Sequence, residues 1–435
     1  MANKKVLIIT YYWPPSGGAG VQRWLKFVKY LPEFGWEPIV YTPKNPEYPS
    51  MDESLQMEIP ESVKVIKMRI WEPYSFYKKF TGKKKDEKIN AGFIQEENSN
   101  AILEKISVFI RGNFFIPDPR KFWIRPSVKF LKRYLVENHI QTIITTGPPH
   151  SMHLIGLKLK KALKINWIAD FRDPWTNIDF YKDLRLTKYS DSKHRKLEKQ
   201  VLSKADCVIT VGNTMKKEME ELGANHCNVI TNGYDQKDIK NLSVALDEKF
   251  SIVHVGSLNK DRNHPVLWDV LGKLAAKDIL FKEKLEIKLV GKVDVEVIKM
   301  IQNHGLTPNL NKIEYVPHNE IARHLLSARV LYLPINNTPN AKGILTGKFF
   351  EYLAAQRPIL TIGLEKSDVA DILNETKMGK VIDFKDQTGV QAFILEAFKM
   401  YRQAKEAPIK SNVEQYSRRE LTRTLSELLN QLNHG

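Results

Sequence analysis

The feature that most constrains this chain is a twice-repeated alternation of short β-branched apolar runs with helical stretches. Residues 6–11 read as a strand, 13–20 as a proline- and glycine-rich turn, 21–34 as a helix ended by Gly35, and 38–42 as a second strand. After an irregular stretch the rhythm resumes. Helices are expected over 127–138, 153–162, 193–204 and 214–222, the last with Asn213 as its cap, and strands over 142–145, 166–169, 206–211 and 228–231. Residues 236–249 read as a linker. A second α/β set then opens with a strand at 251–255 and continues with strands at 285–290, 313–316, 330–334, 359–362 and 380–384. Strands that alternate with helices in this way belong in parallel sheets covered on both faces. The expectation is therefore an α/β fold of two Rossmann-like domains, 1–240 and 250–407. The remainder, 408–435, carries an amphipathic helix over 418–432.

With 435 residues, two domains of ordinary size can each bury a core, and no run of about 18 uncharged apolar residues suggests a transmembrane helix. The apolar N-terminal run is short, β-branched and stopped by Trp13-Pro14-Pro15, so it reads as a first strand rather than a signal peptide. Cys207 and Cys227 are too few for a disulfide scaffold or a cysteine zinc site, and a reducing cytoplasm is the expected compartment. The net charge of +17 calls for an anionic partner: nucleic acid, a membrane face or a polyanionic substrate. Nucleic acid ranks last, because no zinc-finger or RNA-binding signature is present. The densest basic run is Lys78, Lys79, Lys83, Lys84 and Lys85, beside Trp71, Tyr74, Phe76, Tyr77 and Phe80. It reads either as a peripheral seat on an anionic membrane or as a solvated loop.

Ligands of open α/β sheets collect beyond the carboxyl ends of strands, so polar residues there are candidates for chemistry. One such cluster is Asp170-Phe171-Arg172-Asp173, and another contains His150. Arg172 keeps its proton and so would hold an anion or a carboxylate rather than act as a base. Gly17, Gly18 and Gly20 follow the first strand and permit close backbone approach. The third glycine of a dinucleotide fingerprint is missing. Gly256 follows the first strand of the second set, with Lys260 and Arg262 beyond it, a composition suited to phosphate. Residues 43–125 are the least regular, with helical spacing only at 102–110. They could form an acceptor platform or a surface excursion. The sharpest motif is Thr346-Gly347-Lys348-Phe349-Phe350-Glu351, where a glycine-containing loop feeds a helix. The free N–H groups and dipole of such a helix start attract anions. Lys348 adds a charge, and Glu351 lies on the same side one turn on.

This motif, followed by Arg357-Pro358-Ile359-Leu360, resembles the donor site of family-four glycosyltransferases, which are retaining enzymes of the GT-B fold. The resemblance implies two Rossmann-like domains facing across a cleft, with a C-terminal helix returning to the first. It implies Glu351 on a nucleotide ribose, and Thr346, Gly347, Lys348, Gly256, Lys260, Arg262 and Gly18 about the diphosphate. Asp170, Arg172, Asp173 and His150 would stand near the reaction centre. Asp170 to Trp175 looks like the variant of a bacterial subgroup that builds cell-surface polysaccharide. Gly343, Ser257 and Arg172 stand where many members carry a glutamate, an arginine and a histidine. The implied activity moves a hexose from a nucleotide diphosphate sugar to a saccharide or lipid-linked acceptor. No cofactor is implied, and the absence of an Asp-x-Asp triplet argues against metal. A nucleotide-sugar epimerase or hydrolase, or a non-catalytic binding subunit, would use the same donor half.

Overall fold

The computed structural model describes residues 4–72, 101–239, 242–314, 316, 318–404 and 411–434. The lysine run at 78–85 lies outside the described residues. The chain forms two compact units: the first reaches Thr231 and resumes at Arg418, and the second spans Asn232–Ser417.

In the first unit, strands β1 (Lys4–Ile9), β2 (Trp36–Pro43), β3 (Lys64–Met68), β4 (Thr142–Gly147), β5 (Asn166–Phe171), β6 (Cys207–Thr210) and β7 (Cys227–Val229) form one sheet. Their order is β3-β2-β1-β4-β5-β6-β7, and the pairings are parallel. Successive side chains of β1 serve opposite faces. Leu7 and Ile9 join a core with Ile143, Trp167 and Leu131, whereas Val6 and Ile8 join one with Trp24, Val28 and Leu425. The terminal helix Arg418–His434 contributes Leu421, Leu425 and Leu429, spaced one turn apart, to that second core. Asn433 Nδ2 donates to Thr142 Oγ1 at 3.1 Å, and Asn166 Nδ2 to the Leu432 carbonyl at 2.7 Å, fixing the helix to this unit.

The second unit repeats the plan with β8 (Phe250–Val255), β9 (Leu285–Val290), β10 (Leu310–Ile313), β11 (Val330–Pro334), β12 (Ile359–Ile362) and β13 (Gly379–Ile382). Their order is β10-β9-β8-β11-β12-β13, again parallel. All side chains of β8 and β11 are buried, as expected for strands covered on both faces.

Several local expectations are corrected. The irregular stretch contains β3, whose Lys-Val-Ile-Lys-Met pattern is that of a half-exposed edge strand, and a helix over Ala101–Phe114. The next helix begins at Lys121 and carries Pro126 inside it, on the exposed face. Strand β10 ends at Ile313, because its pairing with β9 stops at Val290. Asn213 does not cap its helix: Gly212 enters in extended backbone, with no side-chain cap. Asp170 lies within β5, paired in register with Thr146.

Candidate active site

In each sheet the strand order reverses next to the first strand of its unit, between β1 and β4 and between β8 and β11. Such switch points leave a crevice at the carboxyl ends of the strands.

At the second crevice, β8 delivers the chain to Gly256, whose φ of +103° is left-handed backbone that suits glycine. A Cβ there would lie 2.7 Å from Lys348 Nζ, so the glycine lets the ammonium cross the backbone. Lys348 comes from the helix Gly347–Ala355, which follows the loop beyond β11. Phe349, Phe350 and Leu353 bury one side of that helix. The Val255 amide donates to Tyr352 Oη at 2.9 Å, so the residue before Gly256 is tied to the helix that carries Lys348. Thr346 precedes the helix without capping it. Its Oγ1 is buried and has no hydrogen-bond partner among the described residues, and no side chain caps the first amides of the helix.

The charges here are mutually unfavourable. Burial, then the neighbouring Arg262 guanidinium, lowers the Lys348 pKa to about 8, with Glu351 opposing the shift. Arg262 is held by a 2.6 Å bond from Nε to Asn336 Oδ1 in the loop after β11. Gly256, Arg262, Thr346, Gly347, Lys348 and Glu351 therefore share one crevice, whereas Lys260 is exposed. Two cations beside a helix N-terminus, with a half-buried carboxylate one turn in, suit an anion that carries hydroxyl groups.

The first crevice holds the other candidates. Gly18, with φ +105°, opens the helix Ala19–Tyr30, and a side chain at Gly20 would fall on the Arg172 guanidinium. Arg172 donates from Nε to Thr146 Oγ1 at 3.1 Å and also to the Pro148 carbonyl. The Thr146 hydroxyl in turn donates to Asp170 Oδ2 at 2.8 Å. Asp170 is fully buried and also accepts from Arg23 Nη2 at 2.9 Å and Trp24 Nε1 at 2.8 Å. Burial alone would raise its pKa, but Arg23 and these bonds hold the carboxyl below its usual range. The carboxylate is thus committed to joining the glycine-loop helix to β4 and β5, and its bearing on chemistry runs through Thr146 to Arg172. Asp173, beside Arg172, is exposed.

His150 stacks on Trp175, with ring centroids 4.7 Å apart and planes 2° apart. Burial, then His153 and Arg172, pushes its pKa well below the ordinary value, so the imidazole is neutral at pH 7. Its Nδ1 has no partner among the described residues. The Trp175 indole donates to His194 Nδ1 at 3.0 Å. Around His150 and Trp175 lies a cavity of about 330 Å³, also lined by Tyr12, Phe115, Pro148 and Tyr181. The irregular segment supplies a wall of it through Arg111, Gly112 and Pro117–Arg120. Asp118 secures that wall by accepting from the Ser151 amide at 2.8 Å and from its hydroxyl at 2.9 Å.

Arg23 and Asn336 are not singled out by the sequence, and Thr146 and Trp175 stand there only as members of the strand-end clusters. Arg23 carried a signal, as a charge next to Trp24 in the first turns of the helix after the glycine loop. The others are revealed only by contacts between residues distant in sequence.

The family model for Glycosyltransferase Family 4 matches residues 17–238, just over half of the chain. The chain belongs to glycosyltransferase family 4. The matched part of this family 4 chain covers the first crevice, while the Lys348–Glu351 motif lies beyond it. No curated protein matches the sequence. Solved structures match along nearly the whole chain at low identity. Sucrose-phosphate synthase from Thermosynechococcus elongatus superposes with a TM-score of 0.64 at 13% identity, covering 99% of each chain. HepE from Anabaena, solved in complex with UDP, gives 0.60 at 13% identity over 98% of this chain and 100% of that one. WaaG, a glycosyltransferase involved in lipopolysaccharide biosynthesis, gives 0.55 at 10% identity over 97% and 99%. The family 4 chain therefore has the GT-B fold and is a glycosyltransferase.

Proposed function

We propose that this glycosyltransferase takes a hexose from a nucleotide diphosphate sugar and transfers it, with retention, to a saccharide or lipid-linked acceptor of bacterial surface polysaccharide. The observation that carries the reading is the pairing of Lys348 with Arg262 at the start of the Gly347–Ala355 helix. Two like charges held together are costly alone and become favourable once a diphosphate lies between them. The developing charge on the leaving group is the part of the transition state that such a preorganised cluster stabilises. In this reading the two cations and the helix amides carry that charge without a metal, and Glu351 holds the ribose. HepE, which shares the fold, has been solved with UDP-glucose, which supports the donor class. WaaG and the galactosyltransferase WaaB, both of lipopolysaccharide synthesis, support the acceptor class.

On the acceptor side, the aromatic cavity beside His150 has the size and lining of a saccharide subsite. Its neutral imidazole can accept a hydrogen bond from a hydroxyl as well as donate one. The test is a panel of sugar nucleotides scored by thermal shift, followed by transfer from the best binder to a membrane extract. The reading expects one nucleotide sugar to raise the melting temperature and its sugar to appear on an acceptor. Binding without transfer would favour a non-catalytic subunit, and turnover without acceptor would favour an epimerase or hydrolase.

A further inference from the structure

The helix Lys121–Glu137 buries Trp123, Ile124, Ser127, Leu131 and Leu135 on one side. Its opposite side is outward-facing, and its charged residues are basic except Glu137. Phe122, Arg125, Lys129, Lys132, Arg133 and Val136 recur at helical spacing and are all exposed. Lys158 of the neighbouring helix Ser151–Ala162 joins Arg125, Lys129, Lys132 and Arg133 around a shallow depression of about 450 Å³. Arg133 pairs with Glu137 at 3.3 Å. Among the described residues no carboxylate pairs with Arg125, Lys129, Lys132 or Lys158.

The apolar residues sit at the ends of this stripe. Val136 is 61% exposed at the carboxyl end of the helix. At the amino end Phe122 meets the exposed Trp71 edge-on, with ring centroids 4.7 Å apart, and lies 6.1 Å from Phe115. Lys121 crosses the Phe122 ring at 5.1 Å. An outward-facing cationic stripe about 12 Å long with aromatics at one end is what a surface needs in order to lie on a bilayer. The ammonium groups meet lipid phosphates while Trp and Phe rings enter the headgroup layer. A protein partner fits less well, because lysines are depleted where protein surfaces bury each other. A nucleic acid would leave Val136 without a role, and no zinc-finger or RNA-binding signature accompanies the stripe.

We infer that the exposed face of the Lys121–Glu137 helix, with Lys158 and the Trp71–Phe122 pair, is the surface by which this protein docks on an anionic phospholipid bilayer. The inference stands independently of the donor assignment, because none of these residues belongs to either crevice. Docking through this face seats the protein on the surface that would present a lipid-linked acceptor.

The experiment is co-sedimentation of the full-length protein with phosphatidylcholine vesicles, with and without phosphatidylglycerol. Each basic residue near an anionic leaflet contributes about a fivefold gain in partition. The variant Lys129→Gln/Lys132→Gln/Lys158→Gln should therefore lose roughly a hundredfold in binding to the anionic vesicles. Phe122→Ala should lose less. Both should keep the melting temperature and the sugar-nucleotide affinity of the parent, since the changed groups are exposed and remote from Lys348 in sequence and unit. Excess inorganic phosphate should displace little of the protein from vesicles, whereas rising salt should release it. Unchanged sedimentation of the triple variant would overturn the inference, as would equal binding of the parent to neutral vesicles. So would loss of binding on neutralising the lysines at 78–85 alone, or a preference for an RNA oligonucleotide over vesicles.

Discussion

The Lys348 ammonium sets a pH dependence that can be worked out in advance. Its pKa in the free protein is lowered to about 8, chiefly by burial and then by Arg262. A bound diphosphate neutralises the Arg262 field and favours the charged lysine, so the pKa rises on binding. Affinity should therefore be steady below pH 7 and fall above pH 8, where binding must first protonate the lysine. Between pH 7 and 9 the protonated fraction falls from about nine-tenths to one-tenth, a roughly tenfold weakening. Titration calorimetry with the nucleoside diphosphate across this range measures it, together with proton uptake at the alkaline end. Lys348→Arg keeps a charge at every pH and should remove the alkaline limb. Lys348→Ala removes a charge-assisted contact of about 1.5 to 3 kcal/mol, raising Kd by roughly 10- to 150-fold at pH 7. A parent protein with constant Kd from pH 7 to 9.5, or an alanine variant within twofold of the parent, would refute the reasoning.

Other changes test neighbouring parts of the account. Gly256→Ala places a Cβ 2.7 Å from Lys348 Nζ in left-handed backbone, and should cost about 1–2 kcal/mol of stability by denaturant unfolding while weakening donor binding. Asp170→Asn leaves Arg23 buried without its counter-charge and should destabilise by about 3–5 kcal/mol in the same assay. Because the folded carboxyl titrates below its unfolded value, this stabilisation is complete above the unfolded pKa. It is lost as pH falls through the folded pKa, so the variant should lack that acid limb of unfolding. Gly20→Ala displaces the Arg172 guanidinium and should lower kcat for transfer while sparing donor Kd.

Much of the fold was legible because parallel strands buried on both faces leave continuous apolar runs. Strands 285–290, 330–334 and 359–362 have the bounds their sequences suggest. Two of the four edge strands were not legible. No side chain of β3 or β10 is fully buried, and their lysines and asparagine mask the strand signal. The helix bearing Lys348 and Glu351 was readable from local chemistry, since glycine, lysine and glutamate lie within five residues. Arg262 as the partner of Lys348 was suggested only by resemblance, and its anchor Asn336 lies 74 residues away. The Arg23–Asp170 pair spans 147 residues, so the sequence presented Asp170 as an acid at a strand end when its carboxylate is bound to three other side chains. The cavity beside His150 was equally hidden, because its walls come from five separate segments.

The central claim is that the start of the Gly347–Ala355 helix grips a pyrophosphate, and a crystal structure of the protein with its preferred sugar nucleotide tests it most directly. The account predicts diphosphate oxygens within hydrogen-bond distance of Lys348 Nζ and the first helix amides, with Arg262 on the same group and a ribose hydroxyl on Glu351. A nucleotide bound with its phosphates away from Lys348 and Gly256 would contradict it.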